Sequence, residues 1–188
     1  MTPDDVSKRP VSKEASMRSH RGTPATRVSD ANTLRITTPS DRELTMTRVF
    51  DAPRALVFEA WTRPEWVRRW LGVFGGWSLT VCEIDLKVGG SIRYEWRNAD
   101  GRSMGMSGVF REIVPGERIV STEVFDDPWY EGEATGTVVF VEQGGKTTVN
   151  YTMRYASKAV CDAVLASPME HGVAASFDKL ANLLLTPS

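Results

Sequence analysis

The sequence predicts an α+β fold in which a curved, seven-stranded antiparallel sheet wraps a long C-terminal helix, with two short helices after the first strand. Three observations carry this. Apolar residues near the C-terminus recur at helical spacing: Met169, Val173, Ser176, Phe177, Leu180, Leu183 and Leu184 fall on one side, and His171, Asp178, Lys179 and Asn182 on the other. From Trp77 to Tyr155 the period changes to two, in runs separated by glycine-rich turns. An amphipathic helix cannot stand alone in water, so the strands must supply the surface that buries it.

Taken in order, Met1 to Asn32 holds six Lys/Arg, four acids and little that could form a core, and reads as a flexible, mildly basic tail ahead of one domain over residues 33–188. Leu34-Arg35-Ile36 is a short strand and Pro39-Ser40-Asp41 a turn. Glu43 to Phe50 is a strand with Leu44, Met46 and Arg48 on one face. Pro53 opens a helix to Trp61, and Thr62-Arg63-Pro64 breaks it. The second short helix sets Trp66 and Trp70 four residues apart, and Gly72 ends it.

Six strands follow: Trp77 to Leu86, Ser91 to Arg97, Met104 to Val114, Arg118 to Phe125, Ala134 to Glu142 and Thr147 to Tyr155. Their connections, Lys87-Val88-Gly89-Gly90, Asn98-Ala99-Asp100-Gly101, Pro115-Gly116 and Gly144-Gly145, suit antiparallel hairpins. Ser157 caps a short helix through Ala166, and Ser167, Pro168 and Glu170 form a capping box that starts the long one.

Alternation assigns the inner face. Ile92, Tyr94 and Trp96 oppose Arg93, Glu95 and Arg97. Met104, Met106, Gly108 and Phe110 share a face, as do Val149, Tyr151, Met153 and Tyr155, while Cys82, Ile84 and Leu86 point inward. On the strand from Arg118 to Phe125 the pattern puts Val120, Thr122 and Val124 inside and Ile119, Ser121 and Glu123 outside. Gly108 at an inward position removes bulk there.

Composition excludes several functions. With 188 residues, 41% hydrophobic, 25% charged and a net charge of −1, the chain suits one globular domain and offers nucleic acid no electrostatic pull. No apolar run reaches the roughly 18 residues of a membrane span, so a soluble, cytoplasmic protein without membrane contact is expected. Cys82 and Cys161 lack a metal-ligand spacing, His20 and His171 stand far apart, and Asp126-Asp127 has no third ligand nearby, so neither metal nor cofactor is expected. His171 falls on the polar helix face without a nucleophile partner. Glu123 is the one acid in an apolar strand, where burial would make it a base, but parity turns it outward. No catalytic residue is assigned. Gly89-Gly90 precedes a strand and is a turn, not a phosphate loop.

What remains is a lining of large aromatic and thioether side chains with a few polar tips: Trp70, Tyr94, Trp96, Met106, Phe110, Tyr151, Met153, Met169, Val173 and Phe177. Such a surface suits an apolar or aromatic small molecule, or simply fills a core.

Several ordered stretches resemble a known family. Val49-Phe50-Asp51-Ala52-Pro53 with Val57-Phe58-Glu59-Ala60-Trp61-Thr62 is similar to the opening of the SRPBCC superfamily, and more narrowly to the branch named for the activator of the heat-shock-ninety chaperone ATPase. Cys82 to Gly90, Gly108 to Ile113, Thr122 to Trp129 and Met169 to Leu180 continue the likeness over residues 33–185. Trp70-Leu71-Gly72-Val73 departs from it, since relatives often carry a second Trp and a Pro after the Gly. The resemblance implies the helix-grip fold of START and birch-pollen-allergen domains, with an apolar cavity between helix and sheet. It implies ligand binding, with a polyketide cyclase or aromatase branch. It also implies, as the other class, a co-chaperone module whose partner is a chaperone or a second copy in a homodimer.

Overall fold

A computed structural model describes residues 27–28, 34–73 and 75–186 of the chain. Among them the element order is β1 (Arg27–Val28), β2 (Arg35–Ser40), β3 (Glu43–Phe50), α1 (Arg54–Thr62), α2 (Pro64–Trp70), β4 (Trp77–Ile84), β5 (Ser91–Asn98), β6 (Ser103–Val114), β7 (Arg118–Phe125), β8 (Ala134–Gln143), β9 (Lys146–Arg154), α3 (Lys158–Ala166) and α4 (Met169–Leu185). The strands form one antiparallel sheet in the order β1-β2-β3-β9-β8-β7-β6-β5-β4. Neighbours from β4 to β9 are consecutive in sequence, as hairpin-length turns require.

The sheet exceeds the seven strands expected. It has eight of six residues or more among the described residues, with the two-residue β1 at its edge. The Leu34–Ile36 stretch is the beginning of a full strand: β2 runs through Pro39 to Ser40, and the turn is Asp41-Arg42. Pro39 fits because the ladder is irregular between Thr37 and Ser40, where the missing N–H is not needed. Of the expected tail, only Arg27 and Val28 are described, paired with Ile36 and Arg35; the remainder lies outside the described residues.

The tight turns form where glycine was read. Gln143 pairs with Lys146 around Gly144-Gly145, both at positive φ, as a two-residue hairpin demands. Ser157 caps α3, its Oγ accepting from the Val160 N–H at 3.3 Å. The capping box at α4 does not close. Ser167 Oγ accepts from the Met169 N–H at 3.3 Å, but the Ser167 N–H is already committed to the Val164 carbonyl at the end of α3.

The helix lies against one end of the sheet. α4 packs on α1, α2, α3 and β3. Phe177 sits among Phe50, Trp61 and Trp70, with ring centroids 5.9, 5.7 and 6.4 Å away. Trp70 is fixed by its indole N–H, which donates to the Ala60 carbonyl at 2.9 Å. The inward parities of β3, β5, β6 and β9 match the structure: Met46, Tyr94, Trp96, Met106, Phe110, Val149 and Met153 are all buried.

Three further expectations fail. On β7 the inner face is Ile119, Ser121, Glu123 and Phe125, because Ile119, Ser121 and Glu123 pair with Val138, Gly136 and Ala134, the buried positions of β8. Val124 is 41% exposed on the outside. A register shift between Phe110 and Glu112 alters the pairing with β6, and Thr122, which is buried and also borders the cavity, accepts the Val109 N–H at 3.2 Å. Leu86 is 41% exposed, since β4 ends at Ile84. Gly108 opens no space inside. A Cβ there would strike the Thr122 carbonyl, so its lack of a side chain serves the close approach of β7.

Candidate functional site

Between β5–β9 and α4 the chain encloses a cavity of about 270 Å³. β5 and β6 supply Ile92, Tyr94, Trp96, Met106 and Phe110; β7 supplies Ile119, Ser121, Glu123 and Phe125; β9 supplies Tyr151, Met153 and the following Tyr155. One wall of this gap depends on Gly136. A Cβ there would lie 2.9 Å from the Tyr151 ring and 3.2 Å from Met153 Sδ, so only glycine lets Tyr151 lie across β8. An adjoining, more open hollow of about 600 Å³ shares Trp61, Trp70, Phe125, Trp129, Met169 and Val173 with the cavity and leads outward beside α4.

Of the ten residues singled out from the sequence, Trp70, Tyr94, Trp96, Met106, Phe110, Tyr151, Met153, Met169 and Val173 border the inner cavity. Phe177 borders only the outer hollow; most of its ring is core, held between Phe50, Trp61 and Trp70. Met169 and Val173, one turn apart on α4, form the rim.

Sequence reasoning misses the polar end of the cavity. Glu123 faces inward and its Oε1 accepts a 2.7 Å hydrogen bond from the Tyr130 hydroxyl, which comes from the loop after Trp129. Tyr130 is in turn packed edge-on against Tyr155 and Phe125, at 5.4 and 5.8 Å. Burial raises the Glu123 carboxyl above the ordinary carboxylate range, opposed by the Tyr130 hydrogen bond. Burial also raises the hydroxyls of Tyr130, Tyr151 and Tyr155, and the Glu123 charge pushes all three further. Glu123 and Tyr151 sit deep in the protein yet keep accessible surface. That surface is cavity wall. No Lys, Arg or His lines the cavity among the described residues, so Glu123 has no cationic partner there. The parity of β8, whose glycine opposes Ser121, was the one sequence signal that could have turned Glu123 inward.

The other candidates stay outside. His171 is exposed. Asp126 is bound on the outer surface by the Arg93 guanidinium, with two 2.6 Å hydrogen bonds that hold its carboxyl below the usual range. No group of three metal-ligating side chains occurs among the described residues, and no helix there is long and apolar enough to cross a membrane. Cys82 and Cys161 are free and buried.

A curved antiparallel sheet closed by a C-terminal helix over a largely apolar cavity defines the helix-grip class, the architecture of the SRPBCC superfamily. Within it, the chain belongs to the family described as activator of Hsp90 ATPase homolog 1-like protein, which matches residues 51–185. A crystal structure of a Rhodobacter sphaeroides protein is similar at 28% identity and a TM-score of 0.75, covering 80% of this chain and 96% of that one. One from Chromobacterium violaceum matches at 27% identity and a TM-score of 0.67, covering 78% and 99%. An AHSA1-like protein from Aeromonas hydrophila, at 20% identity and a TM-score of 0.60 over 77% and 96% of the two chains, shares the fold. No curated protein matches the chain.

Proposed function

We propose that the chain is a small-molecule binding protein that takes up an apolar or aromatic ligand between sheet and helix. The observation that carries this reading is the cavity's composition. Aromatic rings, thioethers and aliphatic side chains make most of its wall, with one carboxyl and a few hydroxyls at one end and a rim that opens beside Met169 and Val173. Pockets of this kind bury an apolar body and orient it through few polar groups. The inner volume suits a compact ligand, with the outer hollow available to a longer one. A protein core without such a role packs to crystal-like density and leaves few voids larger than a water molecule.

The test is titration with an apolar fluorescent probe, comparing the natural chain with Ser121→Phe. Ser121 points into the cavity, so the added ring occupies the ligand's space without crossing backbone. Saturable uptake by the natural chain and its loss in a cooperatively folded Ser121→Phe variant support the proposal. Equal uptake by both overturns it. Native mass spectrometry of protein purified from its own host would identify a retained molecule. Stoichiometric recovery of a chaperone with an empty cavity would instead favour the interaction role that the family description names.

A further inference from the structure

Resting on the cavity reading above, we infer that the ligand carries a protonated amine at one end of its apolar body, and that the Glu123 carboxylate receives it. The wall hydroxyls donate and accept alike and so favour no ligand class; charge is what discriminates. Glu123 is the one charged side chain among the described residues that border the cavity. Its Oε1 takes the Tyr130 hydroxyl, while Oε2 has no hydrogen bond among the described residues and is not a sealed atom, so it opens onto the cavity space. A carboxylate withdrawn from water needs an opposite charge or several donors, and among the described residues this one has a single donor and no cation. Burial accordingly raises the carboxyl. An ammonium group beside Oε2 supplies counter-charge and N–H donors together, and the carboxyl proton passes to water as the pair forms.

The surroundings select an organic cation over a metal ion. No group of three metal-ligating side chains occurs among the described residues, whereas aromatic rings stand close to the carboxyl. Phe125 lies two residues further along the same inner face of β7, and Tyr155 packs edge-on, at 5.4 Å, against the Tyr130 ring whose hydroxyl bonds Glu123. The Glu123 charge also reaches the Tyr151 and Tyr155 hydroxyls. An acid among aromatic rings attracts an alkylammonium group through the ion pair and the ring faces together. An anion would meet Glu123 with no cation in the described wall to receive it, and a neutral ligand would leave the carboxyl without its counter-charge. Depth fixes the orientation. Glu123 borders the inner cavity and not the outer hollow, whereas Met169 and Val173 border both, so the amine enters first and the apolar body trails toward the rim.

Three naphthalene probes that differ only at the end of an ethyl chain test this: 2-ethylnaphthalene, 2-(2-naphthyl)ethanol and 2-(2-naphthyl)ethylamine, titrated against the natural chain, Glu123→Gln and Ser121→Phe. The amine is expected to bind about tenfold more tightly than either neutral probe, the worth of one charge-assisted hydrogen bond. Glu123→Gln keeps an acceptor for Tyr130 but no charge, and should bring the amine down to the affinity of the alcohol in a protein that still unfolds cooperatively in urea. Ser121→Phe should remove the uptake of all three. Equal binding of the three by the natural chain, tightest binding by a neutral probe, or an amine preference that survives in Glu123→Gln overturns the inference, and hydrocarbon uptake that Ser121→Phe blocks then leaves the cavity reading standing. Binding of none of the three overturns the inference together with the cavity reading.

Discussion

Arg48 on the inner face of β3 donates a 2.6 Å hydrogen bond from Nη1 to the Asp178 carboxylate of α4, joining sheet and C-terminal helix across 130 residues of sequence. The side chain of Arg48 is 6% exposed and that of Asp178 43%, so the pair stands at the boundary between core and solvent. The guanidinium also lies over the Phe50 ring at 5.8 Å, while its Nε has no hydrogen-bond partner among the described residues.

Removing the acid therefore strands a buried charge. Asp178→Ala should destabilise the fold by about 2 kcal/mol, below the 3–5 typical of fully buried pairs because water reaches Asp178. Arg48→Met, which removes the charge and keeps the apolar stem, should be near neutral, and Asp178→Ala in that background should have almost no effect. Urea denaturation of the four proteins in the cycle measures this. Equal costs of Asp178→Ala in both backgrounds would show that the two residues are not energetically coupled.

A second prediction concerns the rim. Gly72 has φ +66°, its N–H donates to Ser176 Oγ at 3.1 Å, and the Trp96 indole N–H donates to the neighbouring Leu71 carbonyl at 3.2 Å. The end of α2, strand β5 and helix α4 thus meet at one residue. A Cβ at Gly72 would collide with the Trp96 indole, and the left-handed backbone disfavours a side chain in any case. Gly72→Ala should cost about 2–4 kcal/mol and displace Trp96 from the cavity wall, read as a lower midpoint and a shifted tryptophan emission. Ser176→Ala, which removes only the acceptor, should cost about 1 kcal/mol.

The sequence made some of this legible and concealed the rest for physical reasons. β5 was readable because Ile92, Tyr94 and Trp96 alternate with Arg93, Glu95 and Arg97, so polarity and parity agree. β7 was not, because its outer face carries Val120 and Val124 while its only acid points in. A period-two rule assigns faces by polarity and misplaces a strand whose charged residue points inward. The partner of that acid, Tyr130, sits in a loop, where no periodicity reports contact. The helix was legible in register but not in its bonding: Asp178 reads as solvated polar face, and its mate lies on a distant strand.

A third prediction uses Cys82 as a reporter of opening. Burial is the main cause that pushes its thiol up to about 11, with Arg68 acting against it and Glu65 adding to it. At pH 8 the thiolate fraction is then about a thousandth, against roughly a quarter for a free cysteine. Alkylation of native protein should run more than about 100-fold slower than that of a model thiol and accelerate to the free rate in denaturant. Fast labelling in the native state would mean that β4 frays, and that the Arg68 guanidinium, which bonds the carbonyls of Thr80 and Cys82, does not hold it.

The last prediction follows from the sign of the Glu123 shift. Burial raises its carboxyl in the folded state, so in the interval above the ordinary value the folded chain holds a proton that the unfolded chain has released. Below that interval the group is protonated in both states and contributes nothing. As pH rises from about 4 toward neutrality, wild-type stability should therefore fall on account of this residue. Glu123→Gln has no proton to lose, and its amide oxygen can still accept the Tyr130 hydroxyl, so the cavity keeps its shape. The variant should match the natural chain near pH 4, gain on it as pH rises through the interval, and hold a constant lead once the folded carboxyl has ionised, as read from urea midpoints from pH 4 to 8. A stability gap that stays constant with pH would mean that Glu123 is ionised and satisfied in the fold. Among the described residues its single hydrogen bond and the absence of any cation in the cavity wall argue against that state.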